Sequence, residues 1–246
     1  MIADSSSPSN GRALVWFRKD LRLQDNPALE AALKSGKEII PVFIWNKEEG
    51  GQWSPGAASR WWLHYSLKSL GESIEKWGGS LVVREGKAEE ILPDLVKKLD
   101  AEALYFGRTY DPAGLSTEQA VEKVLATQKV LIESFNTSLL KEPWEIQNGS
   151  GRPFQVFTPY WRKSRDGIYK EPRIYSLNNL SFSQISASSV PLDELALLPS
   201  HDWHMKLDQH WEVSEEAAHR LIQRTAEEIT QSYATARNIP SVDGTS

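Results

Sequence analysis

Apolar and polar positions alternate in two rhythms up to about residue 140, and beyond that both rhythms fade. Five apolar residues, Ala13 to Phe17, precede a turn carrying Arg18, Lys19, Asp20, Arg22 and Asp25. Such a run reads as a strand buried on both faces, as in a parallel sheet. Asn26 supplies an N-cap and Pro27 suits the first helical position, which predicts a helix over 27–34 stopped by Gly36. Residues 38–45 predict a second strand, with regular pairing only from Val42 because Pro41 has no N–H for a ladder. A glycine- and proline-rich loop leads to a long helix over 57–77, with Trp61, Leu63, Leu67, Leu70, Ile74 and Trp77 near helical spacing. Further strands are predicted over 80–84, 104–107 and 130–135. Between them come helices over 88–99 and, from a capping box of Ser116 and Gln119, to about Thr127.

Alternating strands and helices with short connections predict an α/β domain. Its centre is a five-stranded parallel, Rossmann-like sheet with right-handed crossovers and helices on both faces. Ligands of such domains sit beyond the carboxyl ends of the strands. Residues 140–199 are punctuated by prolines and glycines, with Trp144, Phe154, Phe157, Tyr160 and Trp161 scattered among them. That content predicts an irregular connector packed onto something, since a free linker would be polar. Ser214 then caps an amphipathic helix with Ala218, Leu221, Ile222, Ala226, Ile229 and Tyr233 along one stripe. The expected organisation is a disordered tail over 1–12, the α/β domain over 13–140, the connector over 141–200 and the start of a helical domain over 201–246.

Composition narrows the chemistry. With 246 residues, 40% hydrophobic and 25% charged, the chain has the make-up of an ordinary soluble protein. No run approaches the length of a membrane span, and the leader lacks the apolar core of a signal peptide. The absence of cysteine removes disulfides, thiolate metal sites and thiol nucleophiles, and fits a cytoplasmic location. The net charge of −5 argues against a surface coated in phosphate-binding groups, though not against a local basic patch. Ten tryptophans are explained mostly by buried bulk, but a chromophore or base-stacking site would also use them.

The familiar dinucleotide, phosphate-loop and nucleophile-elbow signatures are absent. His201 and His204 lie three apart without a third ligand, which reads as a polar helix entry rather than a metal site. Arg18, Asp20 and Arg22 either form a surface ion-pair network or face a functional interface, and the residues alone leave both open. The adjacent Trp61 and Trp62 cannot face the same way on a helix, so one is core and the other is free to pack on a ligand or the connector. Arg162, Lys163, Arg165, Lys170 and Arg173 read as a solvated loop in preference to a single-strand-binding patch. Gly244-Thr245-Ser246 could hold a phosphate if a helix follows it.

The run Val15-Trp16-Phe17-Arg18-Lys19-Asp20-Leu21-Arg22-Leu23-Gln24-Asp25-Asn26-Pro27 resembles the opening of the DNA photolyase/cryptochrome family. Gly56-Ala57-Ala58-Ser59-Arg60-Trp61-Trp62, Tyr110-Asp111-Pro112, Glu142-Pro143-Trp144-Glu145-Ile146 and the stretch from Gly151 to Trp161 extend the likeness in order. The nearest resemblance is to plant-type cryptochromes and the bacterial cyclobutane pyrimidine dimer photolyases related to them. It implies an N-terminal α/β domain that often holds a folate or deazaflavin antenna, then a connector and a helical domain binding FAD. It also implies a lyase activity in which light-excited reduced flavin splits a dimer flipped out of UV-damaged DNA. Cryptochromes use the same flavin for signalling.

Carried over by position, Tyr233, Thr245 and Ser246 would contact FAD and Arg237 would contact DNA. Arg18, Asp20 and Arg22 would anchor the two domains to each other, with some of them exposed and unpaired in this chain. Ala113 and Gly114 stand where some folate-binding members place an Asn-Glu pair, so the antenna stays open. No catalytic residue is assigned. The resemblance further leads to the expectation that this is the N-terminal portion of a longer photolyase, monomeric when complete and inactive by itself. A blue-light receptor and a stand-alone antenna-pigment module are the alternatives.

Overall fold

The computed structural model describes residues 11–167, 182–183, 189–239 and 241–242. Five strands form one sheet: β1 (Arg12–Phe17), β2 (Glu38–Trp45), β3 (Val82–Glu85), β4 (Ala101–Gly107) and β5 (Leu131–Phe135). Their order is β3-β2-β1-β4-β5, and every neighbouring pair is parallel. The helices between them are α1 (Pro27–Lys34), α2 (Ala57–Lys76), α3 (Ala88–Leu99) and α4 (Pro112–Leu125). The predicted α/β class and strand count therefore stand.

Strand alternation divides the core between two faces. Leu14, Trp16, Ile40, Val42, Ile44, Leu104 and Phe106 pack with Leu92, Leu95, Val96 and Leu99 of α3 and Val121 and Leu125 of α4. The intervening positions, among them Ala13, Val15, Phe17, Ile39 and Ala103, are equally buried on the other side. There α1 lies across β1, β4 and β5 with Ala28, Leu29 and Ala32 inward. Asn26 Oδ1 accepts from the N–H groups of Ala28 and Leu29, so the predicted cap is real.

Three local expectations need correction. β2 pairs with β1 from Glu38 onward, through Pro41 itself, whereas its pairing with β3 begins only at Val42. The Ile39 and Trp45 carbonyls both point to the β3 side, accepting from Ser183 N and Gly86 N. By two-residue alternation the Pro41 nitrogen faces that same side, where β3 has not yet begun. The helix after β4 starts at Pro112, earlier than Ser116 suggests, because Asp111 accepts from Gly114 N as the cap and proline takes the first position. The connector also carries a helix, α5 (Phe157–Ser164).

The chain divides into two compact units, one drawn from residues 1–54 and 73–191 and the other from 55–72 and 192–246. In the second unit Trp61, Leu67, Leu195, Leu197 and Ala217 are buried. It contains the short α6 (Met205–Asp208), α7 (Glu215–Arg224) and α8 (Thr230–Ala236), with a π-helical turn over Thr225–Ile229 joining the last two. Ser214 caps α7 by accepting from Ala217 N at 3.0 Å. Of the predicted stripe, Leu221, Ile222 and Tyr233 are exposed. Among the described residues, no helix is long and apolar enough to cross a membrane.

Candidate functional site

In the order β3-β2-β1-β4-β5 the chain winds outward from β1 in one direction and resumes on its other side at β4. The crevice of an open α/β sheet lies at that reversal, outside the carboxyl ends of the two strands. A cleft of about 270 Å³ opens there, lined by Lys19 and Asp20 after β1, by Gly107 to Asp111 after β4, and by Thr137 and Ser138 after β5. It falls just below the usual span of ligand sites, roughly 300–1,000 Å³.

The walls are held by a buried ion pair. Arg18 Nη1 donates in a short contact to Glu118 Oε1, and both side chains are nearly out of solvent. Glu118 also accepts from Thr109 N at 2.7 Å and Thr109 Oγ1 at 2.8 Å. Arg18 lies over the Trp16 ring at 4.4 Å and has Glu49 at 3.6 Å. One carboxylate thus ties the end of β1 to the turn after β4. Leaving either charge unpaired in such a place costs about 3–5 kcal/mol. Gly114 completes the arrangement, since a Cβ there would collide with Thr109 Oγ1.

Asp20 is buried and accepts from Arg18 N at 3.0 Å. Arg22 Nη2 donates to the carbonyls of Asp25 and Thr137, each at 2.8 Å. Lys19 Nζ donates to Asp111 Oδ2 at 2.6 Å. Burial alone would raise the Asp111 carboxyl, but the Lys19 ammonium and the Gly114 N–H outweigh it and hold it below the usual carboxylate range.

Glu142 lies behind the lining residues Arg108 and Tyr110 and holds both. Tyr110 Oη donates to its Oε2 and Arg108 Nη2 to its Oε1, both at 2.7 Å. Burial, followed by the bond to Glu142, pushes the Tyr110 phenol up to about 12. Arg108 also donates to Ser134 O at 3.1 Å and lies 5.6 Å from the Trp144 ring centroid. Its Nε is buried without a partner among the described residues. Among the described residues the lining offers two cations, Lys19 and Arg108, two carboxylates, Asp20 and Asp111, and the Tyr110 phenol.

Residues 13–174 match the family model described as DNA photolyase. The chain belongs to the DNA photolyase family. Of the photolyase relatives, the deoxyribodipyrimidine photo-lyase of Agrobacterium fabrum is 36% identical over 234 residues, covering 95% of this chain and 48% of that protein. Cryptochrome-1 of Arabidopsis thaliana is 41% identical over 160 residues, 65% of this chain and 23% of its own length. The crystal structure of a bacterial class III photolyase from Agrobacterium tumefaciens matches with a TM-score of 0.87 at 36% identity, covering 99% of this chain and 50% of that one. The chain therefore spans about half the length of these photolyases, and corresponds to their N-terminal portion.

Against photolyase expectations, the structure sorts the candidate residues into three groups. Arg18, Asp20 and Arg22 sit together at the end of β1, but the partners described for them all lie in the first unit. Arg18 and Asp20 are turned inward and bonded, and Arg22 is bonded too, whereas some of the three were expected to be exposed and unpaired. Tyr233 and Arg237 meet on the last helix, the Arg237 guanidinium 5.7 Å from the ring centroid, and both are exposed. Thr245 and Ser246 lie outside the described residues, as do Lys170 and Arg173 of the basic cluster. Trp61 is the core member of its pair and Trp62 packs edge-on against Trp211. Among the described residues, no group of three or more His, Cys, Asp or Glu side chains could hold a metal ion.

Sequence reasoning missed Glu118, Arg108 and Glu142. A signal existed for Glu118: it shares the buried stripe of α4 with Gly114, Val121 and Leu125, where an apolar residue is the rule. Arg108 and Glu142 are 34 residues apart, and only the fold pairs them.

Proposed function

We propose that the chain supplies the N-terminal half of a light-driven, FAD-dependent deoxyribodipyrimidine photolyase that repairs cyclobutane dimers in UV-damaged DNA. The observation that carries this reading is the 36% identity to the Agrobacterium fabrum photolyase across 95% of the chain. Residues 13–140 act as the antenna-type domain, 141–200 as the connector and 201–246 as the opening of the helical domain. The β1–β4 cleft is the seat of an antenna pigment, with Lys19 and Arg108 facing its charged groups. The collision at Gly114 disfavours an acidic side chain at that position as a pigment ligand.

When bound, FAD supplies the photoexcited electron donor. From this chain Tyr233 would contact it, with Thr245 and Ser246 at its phosphates. Tyr233 is exposed beside a cation, which is compatible with holding an anionic aromatic cofactor but makes only one edge of a pocket. Arg237 would face DNA. The 41% identity to Arabidopsis thaliana Cryptochrome-1 favours a second reading, a blue-light receptor using the same flavin. Light-dependent repair of a thymine-dimer oligonucleotide by the full gene product separates the two. Repair is expected, and flavin binding without repair would favour the receptor.

A further inference from the structure

The two edges of the sheet are finished differently. At β3 the connector takes up the backbone of Val83, whose O accepts from Val190 N and whose N donates to Ser189 Oγ, each at 2.9 Å. β5 lies at the opposite edge and pairs with β4 alone among the described strands. Phe135 O accepts from Arg108 N, so the odd-numbered residues of β5 bond towards β4. By alternation the N–H and C=O groups of Ile132 and Ser134 face outward, as does the carbonyl of Val130. Two backbone groups here are already engaged within the chain: Val130 N donates to Gln128 O at 2.8 Å, and Ser134 O accepts from Arg108 Nη1 at 3.1 Å. Among the described residues, Ile132 N, Ile132 O, Ser134 N and Val130 O have no hydrogen-bond partner.

We propose that this edge docks a second copy of the chain, β5 against β5, antiparallel and centred on Ile132. The pattern of free groups is its own complement in that register. Ile132 N donates to the partner's Ile132 O and the reverse, and Ser134 N donates to the partner's Val130 O in both directions. The engaged groups, Val130 N and Ser134 O, then face each other across the seam, each already bonded at home. Sliding the register by two residues sets Ile132 O against an engaged N–H, or Ile132 N against an engaged carbonyl. The side chains agree with the centred register. Ile132, packed against the core under α3 and α4, meets its own copy and extends that apolar face. On the other face the exposed Leu131 stands opposite the partner's Glu133, and Lys129 lies diagonal to that carboxylate. A strand of five residues makes a contact well short of the standard interface of about 1,600 Å², so the dimer is transient. The pairing departs from the monomer that the resemblance implies, and it does not depend on the repair or receptor reading.

Disulfide trapping tests the register directly. The chain has no cysteine, so a single introduced one links only between copies. Leu131→Cys and Glu133→Cys are made separately in the 246-residue chain and oxidised mildly, alone and mixed, at equal total thiol. Their Cα atoms form a non-hydrogen-bonded pair about 4.5 Å apart in the proposed register, within disulfide reach. The mixture is expected to form the mixed disulfide several-fold faster than either variant forms its own. Adding Ser134→Pro to both chains removes an outward N–H and leaves the bonds to β4 intact, as Pro41 does in β2. It should bring the mixed rate down to that of the single variants. Should Ser134→Pro fail to fold, as judged by circular dichroism, Ile132→Lys sets two ammonium groups face to face across the seam with the same expected loss. Equal rates in the mixture and the single variants, or a mixed rate that survives the folded blocking variant, would overturn the pairing.

Discussion

At the scale of single residues, the cleft depends on a few side chains whose partners leave little freedom. Gly114 is one: a methyl there must displace Thr109, and Thr109 is bonded through both N and Oγ1 to Glu118. Gly114→Ala should therefore cost about 1–3 kcal/mol, the usual range for overpacking, despite alanine's better helix propensity. A urea melt of the purified variant measures it, and a stabilised variant would mean the turn relaxes freely. Tyr110 offers a test by titration. Its phenol is raised to about 12, first by burial and then by Glu142. Because the folded value lies above the ordinary one near 10, the associated stability is fully present below pH 10 and is lost as pH rises towards 12. Spectrophotometric titration should find one tyrosine ionising last, absent in Tyr110→Phe and shifted down in Glu142→Gln. The charged turn itself was visible in the sequence. The direction of its side chains was not, because Arg18 finds Glu118 a hundred residues away.

At the scale of elements, local signals located strands and helices well and failed where two signals competed. Ser116 and Gln119 make a capping box, yet Asp111-Pro112 starts α4 one turn earlier, since an acceptor followed by proline at the first position is the stronger beginning. Pro41 looked like a break, but a proline disables one side of a strand, and here that side faces a gap in the sheet. The gap is closed by the connector, which periodicity could not reveal. Phe182 bridges to Ile39, Ser183 N donates to its carbonyl at 2.9 Å, and Val190 N donates to Val83 O at 2.9 Å. These contacts cover the outer edge of β2 and β3, an edge that would otherwise invite pairing with another chain. Gly79 makes room for them, because a Cβ there would collide with Phe182. Gly79→Ala should lower the melting temperature and increase light scattering on heating, with the α/β circular dichroism retained before the transition. Unchanged scattering would show that the covered edge does not govern association.

At the scale of the whole molecule, family membership was readable from the order of motifs, while the extent of function present in 246 residues is a question of surface. Helix α7 has its N-cap and its first-turn carboxylates, Glu215 and Glu216, so it is well begun as a local structure. Yet Leu221 and Ile222 are 52% and 64% exposed, and Tyr233 is 47% exposed. An amphipathic helix derives most of its stability from burying such a stripe, which here stays in water. A flavin site needs concave walls that bury most of the ligand. Tyr233 and Arg237 lie on one turn of one helix and present a convex edge. The purified chain is therefore expected to carry no stoichiometric flavin absorbance and to bind an apolar dye such as ANS. Replacing Leu221 and Ile222 together by glutamate should reduce the dye signal and any self-association without altering the melt of the α/β sheet, whose core shares no residue with that stripe. Flavin retained at one per chain through purification would mean that a pocket is assembled from these residues after all. It would also move the proposed cofactor contacts away from a single helix edge.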